Sequence, residues 1–417
     1  MMSVVIIGAG QAGLQIIMSL RQGFGDGGYT GDITLIGDEA YLPYQRPPLS
    51  KAYLSGKMER DRLFLKPDNF YAENNVTLKL ETAVETLDAA AKTVTLSNGE
   101  TLAYEHAVIA TGSRPRLLDV PGRHLENIFD LRGMADIDAM QPHFVSGKKL
   151  VVVGGGYIGL EAAAVAADMG MQVTVLEAAP RLLARVAEPE ISEFYTRLHK
   201  DHGVTLVTDS QMVGFTAVEG AENGKVVGVQ MADDSIVEAD IVVVGIGILP
   251  NVELAEAAGL EVNNGIVVND LGQTSDPHIF AAGDCTSHPN DLLGRTLRLE
   301  SVPNAIEQSK AVASAICGTP KPYHQVPWFW SDQYDVKLQI AGVPNEIDSK
   351  VLRGDDASNS FAWFYFTGDK LTGVTAVNRA AEFMAGRMLI EKSLKGEAVP
   401  DPEKLADEDV KPKEWMA

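Results

Sequence analysis

Two copies of one glycine-rich pattern constrain the fold of this chain more than any other feature. In the first copy, four β-branched residues at 4–7 precede Gly8, Gly10 and Gly13, and a largely apolar stretch at 14–20 follows. A continuous β-branched run is typical of a buried parallel strand, and the spaced glycines let a pyrophosphate approach the backbone at the start of a helix. A glycine-rich turn that binds no nucleotide is an alternative for this copy taken alone.

The second copy removes most of that ambiguity. An apolar run at 150–153 precedes Gly154, Gly156 and Gly159, and an alanine-rich helical stretch follows. The next strand ends at Glu177, close to the spacing of roughly 20 residues expected for a carboxylate that binds ribose hydroxyls. Two complete motifs predict two dinucleotides, one FAD that is tightly bound and one nicotinamide coenzyme that exchanges.

The same duplication defines the predicted domains. Buried strands that end at Gly112 and Gly247 follow the two glycine motifs at similar distances. We therefore expect a second nucleotide-binding unit inserted into the first. This gives an FAD-binding domain at 1–112 and 247–325 and an NADH-binding domain at 113–246.

The character of the sequence changes at residue 326. All four tryptophans lie beyond it, and aromatic residues occur in alternating runs that predict an antiparallel sheet. Residues 326–417 are predicted to form a C-terminal α+β domain, with the acidic stretch at 397–417 as a loosely held tail. The expected fold class is α/β: two Rossmann-like dinucleotide-binding domains, as in glutathione-reductase-like flavoproteins, plus this C-terminal α+β domain.

Charge and cysteine content argue against several classes of function. The net charge of −22 disfavours nucleic acid and anionic membrane surfaces as partners, and no stretch reaches the ~20 apolar residues of a membrane span. Cys285 and Cys317 form no C-x-x-C motif, so neither a disulfide framework nor a cysteine-rich metal site is expected. A soluble cytoplasmic protein without a metal is the simplest interpretation.

Polar residues after the second predicted strand are candidates for binding FAD. Asp38 or Glu39 ends that strand and is assigned to the adenosine ribose. In the proline-rich loop that follows, Arg46 and Lys51 are candidates to contact the pyrophosphate and the isoalloxazine ring. Ser50 is predicted to cap a helix that starts there.

Several segments resemble a known family. They are R-P-P-L-S-K (46–51), A-T-G-S-R-P (110–115), G-G-G-Y-I-G-L-E (154–161), G-I-G-I-L-P-N (245–251), T-S-D-P with A-A-G-D (274–284), E-S-V-P-N-A (300–305) and W-F-W-S-D-Q-Y (328–334). Through them the whole chain resembles bacterial NADH-dependent ferredoxin reductases of oxygenase and cytochrome P450 systems, the putidaredoxin reductase type. Apoptosis-inducing-factor flavoproteins share this fold. The longer loop at 23–28 and the short, acidic C-terminus depart from the family pattern.

The resemblance implies which residues contact each cofactor. FAD contacts fall on Ala12, Asp38, Arg46, Lys51, Val84, Arg132, Asp284 and Val302, and the first motif adds Gly8, Gly10 and Gly13. NADH contacts fall on Gly156, Ile158, Glu161, Glu177, Gly247 and Glu300, and the second motif adds Gly154 and Gly159. The resemblance also implies an ion pair between Lys51 and Glu161 near N5 of the flavin. Asp284 is expected independently, because it ends an apolar strand.

The activity implied is electron transfer from NADH through FAD, one electron at a time, to a [2Fe–2S] ferredoxin that feeds a cytochrome P450 or a ring-hydroxylating oxygenase. Two alternatives remain open. A flavin disulfide reductase, peroxidase or NADH oxidase would place a redox cysteine in the segment 41–51, which contains none. An NADH-binding interaction protein like the apoptosis-inducing factors would have the same nucleotide motifs and reduce dyes slowly.

Ferredoxin docking is predicted to need a local basic patch. A net charge of −22 repels an acidic ferredoxin, but screening over about 8 Å lets nearby cations outweigh distant acids. The candidate cations are Lys66, Lys310, Lys337 and Arg387, each equally well explained as a solvated surface charge. Of Trp328 and Trp330, one is expected to line the electron path and the other to pack in the core.

Overall fold

The computed structural model describes residues 3–24, 27–218 and 224–416. Its first sheet is parallel throughout, in the spatial order Ile279–Ala281, His106–Ile109, Ser3–Ile7, Asp32–Ile36 and Val76–Lys79. The strand that precedes the first glycine motif is therefore central, and its apolar residues are buried. Its carboxyl end opens toward the edge where parallel sheets bind ligands.

The predicted helix after the first motif is present and longer than the apolar stretch suggested. It runs over Gln11–Gln22, because its ends are set by Gly10 and Gly23 and not by the limits of the apolar stretch. A second long helix, Val302–Ile316, packs beside it, and the Ser309 hydroxyl donates to the Ala12 carbonyl at 3.1 Å. The two helices cover one face of the first sheet.

The second sheet repeats the first. Its parallel strands follow the order Thr205–Val207, Gln172–Leu176, Lys149–Val153, Ile241–Val244 and Ile128–Asp130. As in the first sheet, the strand before the glycine motif is central and the helix after it, Tyr157–Asp168, begins inside the motif. The helices Met134–Met140 and Pro189–Asp201 belong to the same unit. The internal duplication inferred from the sequence is therefore present in the strand order.

The C-terminal sheet is antiparallel, as its alternating aromatic residues predicted. Its strands follow the order Trp328–Gln333, Val336–Gly342, Lys370–Val377, Ser360–Thr367 and Ser349–Asp355. The helix Ala380–Leu394 covers one face and buries Phe383, Leu389 and Ile390 in the core of this sheet.

The prediction of a loosely held acidic tail is wrong. Residues Pro402–Ala406 form a helix, Pro412–Met416 form a 3₁₀ turn, and the side chains of Leu405 and Trp415 are buried. The guanidinium of Arg353 donates to backbone carbonyls of this segment, among them those of Leu405 and Val410. The acidic composition of this segment did not predict its ordered structure, because one buried arginine and two apolar side chains hold it in place.

Smaller elements complete the described chain. Three-stranded sheets comprise Val84–Asp88, Thr93–Leu96 and Thr101–Ala103; Met212–Ala217, Val226–Met231 and Ile236–Glu238; and Ile266–Val267, Thr286–Asn290 and Arg295–Leu297. The strands Ser113–Pro115 and Ile248–Pro250 pair with each other where the chain enters and leaves the second unit. Short helices lie at Asn69–Glu73 and Glu253–Ala257, with 3₁₀ turns at Pro47–Ser50, Arg60–Arg62 and Gln141–His143. Among the described residues, no helix is long and apolar enough to cross a membrane.

Candidate functional site

One cavity lies at the carboxyl end of the first sheet and extends toward the second glycine motif and the C-terminal sheet. Its volume of about 400 Å³ falls within the range of small-molecule sites. The residues predicted for FAD, except Gly13, line it: Gly8, Gly10, Ala12, Asp38, Arg46, Lys51, Val84, Arg132, Asp284 and Val302. Of those predicted for NADH, Ile158, Glu161 and Glu300 line the same cavity, and so does Trp330. The structure thus brings residues that are distant in sequence into one cavity.

Each glycine of the first motif has a different structural role. Gly8 has a φ of 120°, and a Cβ there would lie 2.2 Å from the carbonyl oxygen of Ala110. A Cβ at Gly13 would lie 2.2 Å from the carbonyl oxygen of Gly8, so this glycine allows close packing and faces away from the cavity. A Cβ at Gly10 would meet no atom within 4 Å. The open space beside Gly10 leaves room for a phosphate at the start of the helix.

The structure separates the two acids at the end of the second strand. Glu39 accepts a hydrogen bond from the Tyr44 hydroxyl at 2.6 Å and pairs with Arg46 at 2.6 Å. Asp38 is exposed and lines the cavity. Glu39 also lines the cavity but is engaged by Tyr44 and Arg46, so Asp38 stays the candidate carboxylate for a ribose hydroxyl. The guanidinium of Arg46 also donates to the carbonyl of Arg132 at 2.8 Å.

A partly buried cation and carboxylate, Arg132 and Asp284, lie in the wall of the same cavity. Asp284 accepts hydrogen bonds from the Ser113 hydroxyl at 2.8 Å and from Nη2 of Arg132 at 3.2 Å. Burial lowers the pKa of the Arg132 guanidinium, although Asp284 opposes this effect. Nε of Arg132 and the hydroxyl of Tyr157 are buried and have no protein partner within the described part of the chain. These unpaired donors in the wall of a cavity fit a large polar cofactor with phosphate and ring acceptors, as FAD is.

The ion pair implied by the family resemblance is present. Nζ of Lys51 lies 2.7 Å from Oε2 of Glu161, and both side chains are largely buried. The prediction that Ser50 caps a helix is wrong, because Ser50 ends the short 3₁₀ turn at 47–50. Its hydroxyl donates to Oε2 of Glu161 at 2.5 Å. The hydroxyl of Ser331 donates to Oε1 of Glu161 at 2.6 Å, a contact that no local sequence signal reveals.

The three glycines of the second motif do not line this cavity and belong to the candidate NADH site. The carboxylate of Glu177 accepts from the N–H groups of Gly155 and Ala179 at 2.6 and 2.7 Å. Gly154 and Gly247 both have a φ of 110°, and a Cβ at Gly154 would lie 2.4 Å from the carbonyl oxygen of Gly245. Gly156 has open space beside it and Gly159 packs on Gly154, so the roles found in the first motif recur here.

Glu300, predicted to contact NADH, lies instead in the wall of the first cavity and pairs with Arg298. Burial raises the pKa of its carboxyl, against the lowering effect of Arg298. Since Ile158 and Glu161 also face this cavity, the three residues mark the place where the two predicted nucleotide sites meet.

Comparison with known proteins decides the family. Residues 2–309 match the family model described as pyridine nucleotide-disulphide oxidoreductase, and residues 328–416 match the model described as reductase C-terminal. The chain belongs to the pyridine nucleotide-disulphide oxidoreductase family. Both models agree with the two glycine motifs and the separate C-terminal sheet.

Ferredoxin reductases are among the relatives of this family member. The chain is 44% identical to the probable ferredoxin reductase CtmF of Castellaniella defragrans, over 96% of both chains. Its fold matches the crystal structure of the covalent putidaredoxin reductase–putidaredoxin complex with a TM-score of 0.94 and 41% identity, covering 99% of this chain and 98% of the other. It matches the ferredoxin reductase for the CYP199A2 system from Rhodopseudomonas palustris with a TM-score of 0.93 and 41% identity, covering 100% of both chains. These similarities confirm the predicted fold class and the resemblance.

Neither cysteine of this oxidoreductase lines the cavity. Cys285 is fully buried, its thiol lies near the carbonyls of Ala282 and Ile109, and burial raises its pKa to about 11. Cys317 is partly buried, and burial raises its pKa as well. A reactive thiolate is favoured by exposure and nearby positive charge, and neither cysteine has both.

Two of the four predicted docking cations are brought together. Lys310 pairs with Glu307 at 2.7 Å, and Gln325 joins Glu307 to Arg387 through contacts of 2.8 and 3.0 Å. The Arg387 guanidinium lies over the ring of Trp328, whose ring centroid is 5.6 Å from that of Trp330.

The other two cations have no contact with this group among the described residues. Lys66 lies over Phe70, and Lys337 is exposed and pairs in register with Asp332, toward the far end of the strand from Trp328. Trp330 lines the cavity, whereas Trp328 packs on Phe383 in the C-terminal core. Trp330 therefore has the cavity position and Trp328 the core position, while the electron path stays a prediction. Lys310 with Arg387 forms the better candidate patch.

Proposed function

We propose that this protein is an FAD-dependent NADH:ferredoxin oxidoreductase. It takes electrons from NADH and delivers them one at a time to a [2Fe–2S] ferredoxin that serves a cytochrome P450 or a ring-hydroxylating oxygenase. The observation that supports this most is the single cavity lined by the first glycine motif, the Lys51–Glu161 pair and Trp330. Full-length similarity to ferredoxin reductases supports the same activity.

In this proposal each part of the cavity has a role in binding FAD. The N–H groups at the start of the helix Gln11–Gln22 bind the pyrophosphate, and Arg132 and Asp284 contact the cofactor from the cavity wall. Asp38 accepts from the adenosine ribose, and Val84 and Val302 give apolar contact. When bound, FAD supplies chemistry that accepts a hydride and releases single electrons.

The second nucleotide motif binds NADH. Glu177 accepts from the adenosine ribose hydroxyls, and the loop at Gly154–Gly159 contacts the pyrophosphate. The nicotinamide then extends toward Glu161 and Glu300, where the two sites meet. Placing the donor carbon close to the acceptor supplies much of the rate, and the hydride step needs no general base.

The proposal includes the domain limits and the location of the protein. FAD binds to residues 1–112 and 247–325, NADH to 113–246, and residues 326–417 cover the cofactor and help to dock ferredoxin. A cytoplasmic protein is proposed, because both cysteines are free thiols, as a reducing compartment favours. No nucleic acid or membrane partner is part of the proposal.

A purified sample tests the activity directly. The protein should be yellow and release one FAD per chain on denaturation, and NADH should bleach the flavin in anaerobic stopped-flow mixing. A [2Fe–2S] ferredoxin encoded beside its gene should then turn over with NADH. Release of FMN, or fast turnover with disulfides or peroxide but none with ferredoxin, would contradict the proposal. Slow dye reduction with a persistent NADH charge-transfer complex would favour the interaction-protein alternative.

A further inference from the structure

A file of buried polar side chains runs behind the Lys51–Glu161 pair. Ser331 donates to Oε1 of Glu161, and Nε2 of Gln333 donates to the Ser331 hydroxyl at 3.2 Å. Nε2 of His199 lies 2.8 Å from Oε1 of Gln333. Ser331, Gln333 and His199 are each at most 2% exposed. The wall of the cavity is therefore connected by hydrogen bonds to the interior of the molecule.

All hydrogen bonds in this file point the same way. The Glu161 carboxylate only accepts, and the Gln333 amide donates through its nitrogen, so its oxygen accepts from Nε2–H of His199. Nδ1 of His199 is then the acceptor for the Tyr334 hydroxyl, 3.1 Å away. Burial lowers the pKa of His199 to about 4, so the ring is neutral at pH 7 and this tautomer completes the file. Aligned hydrogen bonds polarise one another toward the carboxylate.

The far end of the file has an unusual backbone. Tyr334 has a φ of 54°, in the tight turn between the strands 328–333 and 336–342. This left-handed conformation favours glycine or asparagine over a bulky residue. The tyrosine nevertheless places its hydroxyl on His199 and stacks its ring on His202 with centroids 3.7 Å apart. A strained residue that makes two specific contacts indicates a role beyond closing the turn.

The file joins three parts of the chain that lie far apart in sequence. Glu161 and His199 are on two helices of the second unit, and Ser331 and Gln333 are on the first strand of the C-terminal sheet. This strand places Phe329 and Trp330 in the wall of the cavity and directs the Ser331 hydroxyl to Glu161. Apolar side chains would stabilise such a core at least as well as a polar file. Packing alone does not explain its polarity.

We propose that Ser331, Gln333 and His199 are positioning residues that hold the Glu161 carboxylate against Lys51. They thereby fix the Lys51 ammonium in the wall of the cavity. The C-terminal domain thus orients a charged pair beside the cofactor as well as covering it. This inference rests on the proposed function in one respect, namely that the cavity binds FAD.

Three single variants of the holoenzyme test the proposal. Ser331→Ala removes the donor to Glu161, and Ser331→Thr keeps a hydroxyl at that position. Ser393→Ala is the matched control, because Ser393 is also buried in the C-terminal domain and its hydroxyl accepts one hydrogen bond, from the N–H of Leu371. The measurements are the reduction potential of bound FAD, titrated with a chemical reductant, and the limiting rate and half-saturation of flavin reduction by NADH.

Ser331→Ala should raise the reduction potential, because a mobile Glu161 compensates the charge of Lys51 less well. It should also slow the limiting rate by about tenfold, in line with one lost hydrogen bond to a charged group, with NADH half-saturation little changed. Ser331→Thr and Ser393→Ala should each keep the limiting rate of flavin reduction within about twofold of the wild-type rate. In a Glu161→Gln variant, adding Ser331→Ala should change the potential and the limiting rate little further, since the carboxylate that Ser331 positions is already gone.

The proposal is overturned if Ser331→Ala leaves both the potential and the limiting rate unchanged. It is also overturned if Ser331→Thr or Ser393→Ala shows the same loss, because the hydroxyl would then have no special role. Gln333→Leu gives an independent check and should shift the potential in the same direction as Ser331→Ala. If NADH fails to reduce the wild-type flavin, the proposed function fails, whereas the chemical titration of the potential still decides the role of Ser331.

Discussion

The carboxylate of Glu177 accepts a 2.6 Å hydrogen bond from the backbone N–H of Gly155, inside the second glycine motif. This contact holds the carboxylate beside the loop that is expected to bind the coenzyme pyrophosphate, and each oxygen keeps a lone pair for a ribose hydroxyl. Arg181, which follows Glu177 by four positions, donates to the carbonyls of Ala184 and Ala187 and to the Ser192 hydroxyl. The Glu177 carboxylate is therefore the expected basis of a preference for NADH over NADPH.

Coenzyme preference should depend on Glu177. We expect the wild-type enzyme to prefer NADH strongly, because the carboxylate accepts from the 2′-hydroxyl and repels a 2′-phosphate. Glu177→Ala should lower kcat/KM for NADH by about tenfold and so reduce the difference in kcat/KM between NADH and NADPH. Glu193→Gln, which removes an exposed carboxylate from the helix Pro189–Asp201, should change kcat/KM for neither coenzyme. Equal kcat/KM for both coenzymes in the wild type would mean that Glu177 does not face the ribose.

The cysteines should be dispensable. The variant with both Cys285→Ser and Cys317→Ser should keep NADH-dependent dye reduction within a few-fold of wild type. Loss of activity with FAD still bound would reopen the disulfide-reductase alternative. Both thiols have folded-state pKa values raised by burial, to about 11 for Cys285. The folded state thus favours the protonated thiol, and this contribution to stability is present below about pH 9 and lost as the pH rises toward 11.

Alkylation measures the same pKa shift. Iodoacetamide at pH 8.5 should label Cys285 slowly in the native protein and rapidly after denaturation, since the thiolate is the reactive form. Labelling that is equally fast in both states would show that Cys285 is accessible and ionised in the fold.

Lys310 should contribute to ferredoxin docking. Lys310→Glu should raise KM for ferredoxin several-fold at low salt while leaving flavin reduction by NADH intact, and added salt should shrink the difference. Lys395→Glu is the matched control. The Lys395 side chain is 42% exposed, against 44% for Lys310, and each lysine pairs with a glutamate on its own helix. An unchanged KM for Lys310→Glu at low salt would place Lys310 outside the docking face.

Arg353 should be essential for holding the C-terminal tail. Its side chain is 3% exposed, pairs with Glu382 at 3.3 Å and donates to four backbone carbonyls of the tail. Arg353→Met leaves these acceptors unpaired and should destabilise the C-terminal domain by about 3–5 kcal/mol. The measurements are the unfolding temperature and protease cleavage within 402–416.

FAD content should be retained in Arg353→Met, because Arg353 does not line the cavity. Arg60→Met removes an exposed pair with Asp138 and should cost at most about 1 kcal/mol. If the two variants unfold at the same temperature, the buried arginine does not hold the tail.

Much of the fold could be predicted from the sequence because its determinants are local. The strand at 3–7, the turn at Gly8 and the helix from Gln11 lie within one short segment, and Gly8 and Gly13 are required by backbone contacts nearby. The same holds for the second motif. Duplication of the motif then predicted two parallel sheets without any information on how they pack.

The distribution of hydrogen bonds within the site could not be predicted in this way. Local sequence left Asp38 and Glu39 equivalent, and only the positions of Tyr44 and Arg46 show that Glu39 is already engaged. Ser50 has the composition of a helix cap, yet it donates to Glu161, 111 positions away.

Sequence alone determined the two dinucleotide motifs, the family and a set of predicted FAD residues of which all but Gly13 line the cavity. Tertiary structure decided which of those residues have partners, how Glu161 is held by Ser331 and why the acidic tail is ordered. The physical reason is the separation along the sequence over which each interaction acts. Backbone conformation and strand periodicity depend on neighbours along the chain, whereas pairing of buried polar groups depends on which segments meet once the apolar faces have packed.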